Sequence, residues 1–319
     1  MKAIRIHEDG GPGVLRYEDA PDPEPAPGEV LIELRAAALN RLDLWIRKGL
    51  PSVPKPRILG ADGAGLDPTG RRVVINPGIE HGDRISVVGE HMDGTHAELI
   101  AVPEPNVYPI PEGISIEEAA AFPLVFETVY RMLVTRAGLR EGEWALVWGV
   151  GSGIGTAALQ IATALGGRVL ATSSSDAKLE RARQIGAEAV VNHATGDVIE
   201  AVKEATGGPG VDIVVEHVGE ATWQSSLQAV RPHGRIVVCG ATTGPNPKAA
   251  LHRVWWKQLT ILGSTMGTKA DFEGAYGLVA SGRAKPIVDS VFPLSEAAAA
   301  HERMEAGEHF GKIVLSIPQ

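Results

Sequence analysis

The chain has 319 residues, of which 44% are hydrophobic and 22% charged, an ordinary globular composition long enough for two domains. A net charge of −9 without any Lys/Arg run argues against nucleic acid or an anionic membrane as a partner and favours a small molecule. The single cysteine, Cys239, excludes an intrachain disulfide and a multi-cysteine zinc cage. Because the N-terminus lacks an apolar signal core and no apolar run reaches membrane-span length, we expect a cytoplasmic protein.

The first hundred residues have the pattern of a β-rich domain. Strand-like segments MKAIRI, EVLIELRAAAL, RRVVI and HAELIAV are separated by proline- and glycine-rich connections such as PDPEPAPGE. This spacing predicts a compact, barrel-like domain.

From Ser115 onward the sequence pattern changes from β-rich to helical. Ser115 and Glu118 form a candidate capping box, and the helical pattern that follows is interrupted near Pro123. Strands and helices then alternate from WALVWGV to LTILGST, with helices predicted at 154–165, 176–185, 197–206 and about 221–230. That alternation predicts an α/β fold with a doubly wound parallel sheet.

The stretch ALVWGVGSGIGTAAL at 145–159 joins a strand to a helix through a run of small residues. The pattern G-x-G-x-x-G fails here, because Ile154 and Thr156 stand where its last glycine belongs. The turn nevertheless offers backbone N–H groups and the positive end of a helix dipole, so we expect it to bind a dinucleotide pyrophosphate. A tight turn that binds something else remains the alternative.

The next predicted strand, RVLAT, ends in Ser173, Ser174 and Ser175 rather than in an acid. An acid at this tip would bind a ribose 2′-hydroxyl, whereas hydroxyls with Lys178 or Arg181 nearby suit a 2′-phosphate. The pattern favours NADP(H) over NAD(H). A serine-rich helix cap is the other reading.

These motifs together resemble the medium-chain dehydrogenase/reductase superfamily, and most of all its quinone oxidoreductase-like branch, which lacks zinc. The resemblance runs from MKAIRIHEDGGPG through ALNRLDLWIRKGLP, ILGADGAG, DGTHAEL and LTILGSTM to GKIVLSI. Members of this branch have an A-x-x-G-x-x-G type of turn, and Gly149, Ser152 and Gly155 fall at its three places.

The resemblance implies three segments and a dimer. The segments are a GroES-like catalytic domain over 1–118, a Rossmann NAD(P)-binding domain over 119–263, and a C-terminal segment, 264–319, that returns to the catalytic domain. It also implies a homodimer that joins sheets edge to edge through LTILGST.

The resemblance also locates the zinc positions of the alcohol dehydrogenases in this superfamily. They are occupied here by Asn40, Ala61 and Leu124, and an amide, a methyl and an isobutyl group cannot ligate a tetrahedral zinc. The segment 76–91 has none of the cysteines of a structural zinc lobe, and the spacing of its histidines matches no zinc pattern. We expect neither a catalytic nor a structural zinc.

Site residues follow from the resemblance. Asn40 is the first candidate to contact the substrate or the nicotinamide ribose through its amide donor, Asp43 to orient its neighbours, and Thr128 to pack against the nicotinamide. A weaker candidate donor is Arg41. Weaker candidates to line the pocket are Trp45, His252, Trp255 and Trp256. The expected cofactor-binding residues are Gly149, Gly151, Ser152, Gly153, Ile154, Ser173, Ser174, Lys178, His217, Val218, Gly240, Ser264, Thr265 and Met266.

Without a Lewis acid, charge on the substrate oxygen must be stabilised by hydrogen-bond donors, which is easier when that oxygen belongs to a conjugated system. The sequence therefore favours NADPH-dependent reduction of a quinone or an α,β-unsaturated carbonyl. The alternatives are an alcohol dehydrogenase-like enzyme acting on an alcohol/aldehyde pair with NAD(P), and a non-catalytic NADP-binding sensor or structural protein. No side chain is identifiable as the proton donor, and solvent can serve.

Overall fold

A computed structural model describes residues 1–318 and divides into two compact units. The first unit consists of Met1–Leu124, Thr268–Phe272 and the chain from Lys285 onward; the second consists of Val125–Gly267 and Glu273–Ala284. The strands, in chain order, are β1 (Lys2–Ile6), β2 (Arg16–Asp19), β3 (Glu29–Ala38), β4 (Arg57–Ile58), β5 (Asp62–Leu66), β6 (Arg72–Ile75), β7 (Gly78–His81), β8 (Arg84–Val87), β9 (Leu99–Pro103), β10 (Val107–Pro109), β11 (Trp144–Val147), β12 (Arg168–Ser173), β13 (Ala189–Asn192), β14 (Val211–Glu216), β15 (Val230–Val238), β16 (Thr260–Gly263), β17 (Val288–Pro293) and β18 (Lys312–Ser316). The helices are α1 (Arg41–Arg47), α2 (Ile116–Ala120), α3 (Pro123–Tyr130), α4 (Gly153–Ala164), α5 (Asp176–Gln184), α6 (Val198–Thr206), α7 (Trp223–Ala229), α8 (Leu251–Trp256), α9 (Lys269–Ala280) and α10 (Ala297–Ala306).

The first unit is built on a mixed sheet with strand order β10-β6-β5-β3-β18-β17, to which β9 adds by pairing with β3. Long β3 organises it, because β3 pairs antiparallel with β5, β9 and β18. Along β3 the side chains of Ile32 and Leu34 are buried while Glu33 between them is exposed, the period-two pattern of a strand with one face on a core. Ile313 and Leu315 of β18 belong to the same core cluster.

The second unit is built on a parallel sheet with strand order β13-β12-β11-β14-β15-β16. All four side chains of β11 are buried, as expected for a strand covered by helices on both faces. The strand order reverses at β11, since β12 lies on one side of it and β14 on the other. A ligand of such a sheet binds at the carboxyl ends of the strands near this reversal.

This architecture confirms the predicted α/β class, with a doubly wound parallel sheet and a β-rich first domain. The break near Pro123 is confirmed as well, because α2 ends at Ala120 and α3 begins at Pro123. The sequence did not predict α1, which follows β3 after two residues, or the β7–β8 hairpin. Among residues 1–318, no helix is long and apolar enough to cross a membrane.

Candidate functional site

Two of the predicted site residues lie at the start of helix α1 in the first unit: Asn40 is its N-cap residue and Asp43 lies in its first turn. The Asp43 carboxylate accepts the Asn40 N–H at 2.7 Å and so caps the helix. Its other oxygen accepts the Gly60 N–H at 3.0 Å and ties the loop before β5 to the helix. Complete burial raises the pKa of Asp43 to about 7, against the opposing effect of these two N–H donors.

Asp62, the first residue of β5, accepts hydrogen bonds from residues in distant parts of the chain. One carboxylate oxygen accepts the Leu124 N–H at 2.8 Å. The other accepts Asn40 Nδ2 and Lys312 Nζ, both at 2.9 Å, and Lys312 Nζ also lies 2.5 Å from Asn40 Oδ1. Asn40, Asp62 and Lys312 are all buried, and we call these three residues the Asp62 cluster.

The Asp62 cluster adjoins positions 40, 61 and 124, which the family resemblance equates with zinc ligands: it includes Asn40, Asp62 follows Ala61, and the Leu124 N–H donates to Asp62. Position 40 carries its amide and position 124 contributes only a backbone N–H, while Ala61 is a buried methyl group. Within residues 1–318 there is no group of three or more His, Cys, Asp or Glu side chains placed to hold a metal ion. The charged partner of the buried carboxylate is therefore an ammonium group of the chain itself.

Two buried histidines lie near this cluster. The rings of His96 and His301 meet edge to face, with centroids 6.3 Å apart. Arg47 Nη1 lies 3.2 Å from His301 Nδ1; because a guanidinium only donates, His301 carries its proton on Nε2. Burial and the nearby Lys312 lower the pKa of His96 to about 3, and burial, His96 and Arg47 hold the pKa of His301 well below its usual range.

The two histidines of the segment 76–91, whose spacing matches no zinc pattern, differ in their surroundings. His81 is exposed at the end of β7, and His91 accepts the Val87 N–H at its Nδ1, 3.0 Å away.

In the second unit, the glycine turn follows β11 and leads into α4. Gly149 has φ +55°, a conformation in which glycine is favoured, and the Val150 N–H donates to the Thr172 carbonyl of β12 at 2.8 Å. Ser152 caps α4 by accepting the Gly155 N–H at 2.9 Å. A Cβ on Gly155 would lie 2.5 Å from the Gly149 carbonyl oxygen, so the turn has no room for a side chain there.

This turn fits the pyrophosphate of a dinucleotide. The first backbone bond of α4 runs from the Thr156 N–H to the Ser152 carbonyl, so the N–H groups of Gly153 and Ile154 lie ahead of the intrahelical ladder. These N–H groups lie at the N-terminus of a 12-residue helix, which is the positive end of its dipole. The small residues Gly151 and Gly153 let an anion approach the backbone there.

Ser173 is the last residue of β12, Ser174 follows it, and Lys178 lies in the first turn of α5. Ser173 is buried and its Oγ accepts the Ser175 N–H at 3.1 Å, whereas Ser174 is exposed. Asp176, the first residue of α5, accepts Asn192 Nδ2 at 2.8 Å. The strand tip itself therefore carries no acid.

His217, Val218 and Gly240 lie where β14 and β15 end. His217 Nε2 lies 2.8 Å from the Trp148 carbonyl oxygen, and a Cβ on Gly240 would be 3.4 Å from the His217 carbonyl oxygen. The fully buried Glu216 organises this turn. Its carboxylate accepts the N–H groups of Val218 and Gly219 and the hydroxyls of Thr222 and Ser226.

Ser264, Thr265 and Met266 follow β16. The Ser264 N–H donates to the Val238 carbonyl at 2.8 Å, which continues the pairing of β15 with β16. Met266 has φ +49°, a left-handed conformation that costs a non-glycine residue about 1–2 kcal/mol. His233 and Gln258 have positive φ as well, so this conformation does not by itself mark a cofactor-binding residue.

The remaining candidates are mixed in character. Thr128 is buried within α3, and Arg41 begins α1 as an exposed residue. Trp255 and Trp256 are 63% and 77% exposed, so α8 presents an apolar surface. Burial raises the pKa of the Cys239 thiol to about 12, which disfavours its thiolate form.

Four residues of the buried polar networks near the candidate site residues were not predicted: Asp62, Lys312, Glu216 and His301. Lys312 had a visible signal, since it is the one charged residue of the strand KIVLS. No local sequence pattern indicates that Asp62 is the partner of Lys312, because 250 positions separate the two residues.

Comparison with known proteins identifies the class. An alcohol dehydrogenase GroES-like domain matches residues 26–112, and a zinc-binding dehydrogenase domain matches residues 153–281. The chain is 33% identical to a quinone oxidoreductase of Mus musculus, covering 99% of this chain and 97% of that protein, and 34% identical to one of Pseudomonas aeruginosa, covering 98% and 99%.

Solved structures agree. An NAD-dependent alcohol dehydrogenase superposes with a TM-score of 0.96 at 41% identity, over 100% of both chains. A quinone oxidoreductase of Pseudomonas syringae pv. Tomato superposes with a TM-score of 0.87 at 29% identity, over 99% of both chains.

The chain therefore belongs to the medium-chain dehydrogenase/reductase superfamily, as the sequence motifs predicted. Within it, the chain is an NAD(P)H-dependent reductase of the quinone oxidoreductase-like branch.

Proposed function

We propose that this reductase transfers a hydride from NADPH to a quinone or an α,β-unsaturated carbonyl without a catalytic metal. The Asp62 cluster carries this proposal. The buried Asp62 carboxylate, next to the positions that the resemblance equates with zinc ligands, already accepts hydrogen bonds from Asn40, Lys312 and the Leu124 N–H, and positions 61 and 124 offer only apolar side chains.

NADPH, when bound, supplies the hydride. The N–H groups of Gly153 and Ile154 would hold its pyrophosphate, and Ser173, Ser174 and Lys178 its 2′-phosphate. His217, Val218 and Gly240 would flank the adenosine-side ribose. The segment 264–266 and Thr128 would contact the nicotinamide end.

The substrate oxygen gains negative charge when hydride reaches the conjugated carbon. We assign Asn40 Nδ2 as the donor that stabilises this oxygen, because one of its protons has no closer acceptor than the Ala38 carbonyl oxygen at 3.5 Å. Arg41 is a second candidate donor, and Asp43 positions the start of α1. The product enolate or hydroquinone anion takes its proton from solvent.

This donor set suits a conjugated substrate better than a simple ketone. An enolate or hydroquinone anion is delocalised and needs only modest stabilisation, whereas a localised alkoxide relies on a Lewis acid or a strong proton donor. A single amide donor meets the first requirement.

A second candidate function is oxidation of an alcohol with NAD. It is favoured by the 41% identity to the NAD-dependent alcohol dehydrogenase. The hydroxyl-rich tip of β12 supports NADP(H) and so the first candidate.

We also infer a homodimer in the cytoplasm. Strand β16 lies at the open edge of the parallel sheet and carries the 42% exposed Ile261, and α8 adds its two tryptophans. An exposed apolar edge strand favours pairing with a second copy. The single cysteine suits a reducing compartment.

The test is the loss of NADPH absorbance when the pure protein is given a small quinone in the presence of a chelator. We expect turnover to survive chelation. Asn40→Ala should lower kcat by about 10- to 100-fold with little change in NADPH affinity, while Asn246→Ala, at an exposed position, should leave kcat unchanged. Alcohol oxidation that appears only with added zinc and NAD would overturn the metal-free proposal and favour the second candidate.

A further inference from the structure

Lys312 is an unusual residue for its place in the fold. It opens β18, which pairs with β3 and β17 in the core sheet of the first unit, and its side chain is only 4% exposed. A buried ammonium needs hydrogen-bond partners. Its Nζ has two, Asp62 Oδ2 and Asn40 Oδ1.

These contacts fix which way the Asn40 amide faces. An ammonium group only donates hydrogen bonds, so the amide atom that faces Lys312 must be the oxygen. A carboxylate only accepts, so the atom that faces Asp62 Oδ2 must be the nitrogen. The two requirements agree on one orientation, and the flipped amide would place an NH₂ group against the ammonium and an oxygen against the carboxylate.

Asp62 cannot rotate easily to accommodate a flip. Its second oxygen accepts the Leu124 N–H at 2.8 Å, so the carboxylate is held at both ends. Charge-assisted hydrogen bonds in a buried setting are among the stronger ones in proteins. The amide plane of Asn40 is therefore fixed by the Lys312 ammonium and by the Asp62 carboxylate, which the Leu124 N–H holds in place.

The fixed orientation decides which proton is left for a ligand. Asp62 takes one Nδ2 proton, and the other has only the 3.5 Å contact with the Ala38 carbonyl oxygen, too long for a good hydrogen bond. A donor held in place before the reaction costs no reorganisation when charge develops on the acceptor.

We propose that Lys312 is a positioning residue, which together with Asp62 locks the Asn40 amide so that its second N–H, now in only a long contact with the Ala38 carbonyl oxygen, can donate to the substrate oxygen. The proposal rests on the proposed function only for its effect on rate. The lock itself is a property of the chain that can be measured without turnover.

The first test is a double-mutant cycle. Lys312→Met alone would leave a buried carboxylate unpaired, so the substitution is made as Asp62→Asn/Lys312→Met, which removes both charges and keeps an oxygen for the Leu124 N–H. We expect this pair to lower kcat by about 10- to 100-fold, with the KM for NADPH within about twofold. In an Asn40→Ala background the same pair should cost less than about threefold.

A role that does not pass through Asn40 predicts something else. If the pair lowers kcat by the same factor in both backgrounds, Lys312 acts independently of the amide and the proposal is wrong.

The second test uses the side-chain amide signals of Asn40 in the ¹⁵N–¹H spectrum of the intact wild-type protein. We expect two distinct protons that exchange with water at least tenfold more slowly than those of exposed Asn246. Exchange as fast as that of Asn246 would overturn the lock even if the double variant failed to fold. Slow exchange in a protein that reduces neither quinones nor enones would keep the lock and overturn the proposed function.

Discussion

The two units hold their candidate functional groups by opposite means. In the second unit, a single stretch of small residues at 149–156 presents backbone N–H groups, and its geometry follows from one strand, one turn and one helix. In the first unit, the Asp62 cluster joins side chains at positions 40, 62 and 312 with the backbone at 124.

The difference lies in what each site needs from the rest of the fold. The glycine turn needs space, because a Cβ on Gly155 would collide with the backbone of Gly149 and Val150. The Asp62 cluster needs charge balance, because the buried Asp62 carboxylate and the buried Lys312 ammonium are each other's counter-ions. Substitutions should therefore damage the two sites differently.

The largest effect should come from breaking the charge balance. Asp62→Ala leaves the Lys312 ammonium buried without its counter-ion and should cost about 3–5 kcal/mol of unfolding free energy, measured by urea denaturation. Glu188→Ala breaks an exposed pair with Arg168 and should leave the midpoint unchanged within error. Equal effects of the two variants would show that the Asp62 cluster contributes no more than a surface pair.

A smaller stability effect, with a larger effect on binding, is expected at the glycine turn. Gly155→Ala adds one methyl group 2.5 Å from a backbone oxygen and should cost about 1–3 kcal/mol while lowering NADPH affinity at least tenfold. Gly277→Ala adds the same methyl group in helix α9 with nothing within 4 Å, and should be neutral or stabilising. Unchanged NADPH affinity in Gly155→Ala would remove this turn from the cofactor site.

The buried groups of the first unit also predict how stability depends on pH. His96 titrates near pH 3 in the folded chain and near 6.5 when unfolded, so its contribution is full above pH 6.5 and is lost as the pH falls toward 3. His301 acts in the same direction. Asp43, with its pKa raised to about 7, acts in the opposite direction, because its contribution is full below pH 3.8 and is lost as the pH rises through 7.

At pH 5 two histidines therefore oppose one aspartate. His96 and Asp43 should each change the slope of unfolding free energy against pH by about 1.4 kcal/mol per pH unit, with opposite signs. Asp43→Asn should therefore make the slope more positive by about that amount, and His96→Gln should make it more negative by the same amount. The measurement is urea unfolding at a series of pH values from 4.5 to 5.5, and an unchanged slope in Asp43→Asn would mean that Asp43 is ionised in the fold.

The difference between the two sites also explains which structural features could be predicted from the sequence and which could not. The parallel sheet and the glycine turn were predictable because local patterns dictate them: α4, expected at 154–165, lies at Gly153–Ala164. Asn40 and Asp43 were named only through the family resemblance. The Asp62–Lys312 pair was not foreseen, because 250 positions of chain separate two residues that only the pairing of β18 with β3 and of β3 with β5 brings together. Backbone sites are readable from sequence, while buried charge networks require the topology.

Cofactor preference gives a smaller and more specific effect. Ser173→Asp places a carboxylate at the tip of β12 and should shift the ratio of kcat/KM for NADPH over NADH by about tenfold or more toward NADH. Ser175→Asp adds the same charge two residues further on, at the start of α5, and should shift the ratio less. If both variants keep the wild-type ratio, the preference is decided by other residues.

The smallest effect on catalysis, with a clear effect on assembly, is expected at the free edge of the sheet. Ile261→Lys puts a charge on β16, where a second copy would pair, and should convert a dimer into a monomer in sedimentation equilibrium at micromolar concentration. Thr195→Lys, an exposed loop position in the same unit, is the matched control and should leave the mass unchanged. Because neither the glycine turn nor the Asp62 cluster includes β16, kcat should stay within about twofold of wild type. A dimer that persists in Ile261→Lys would place the interface on another surface, and a monomer with full activity would show that both sites are complete within one chain.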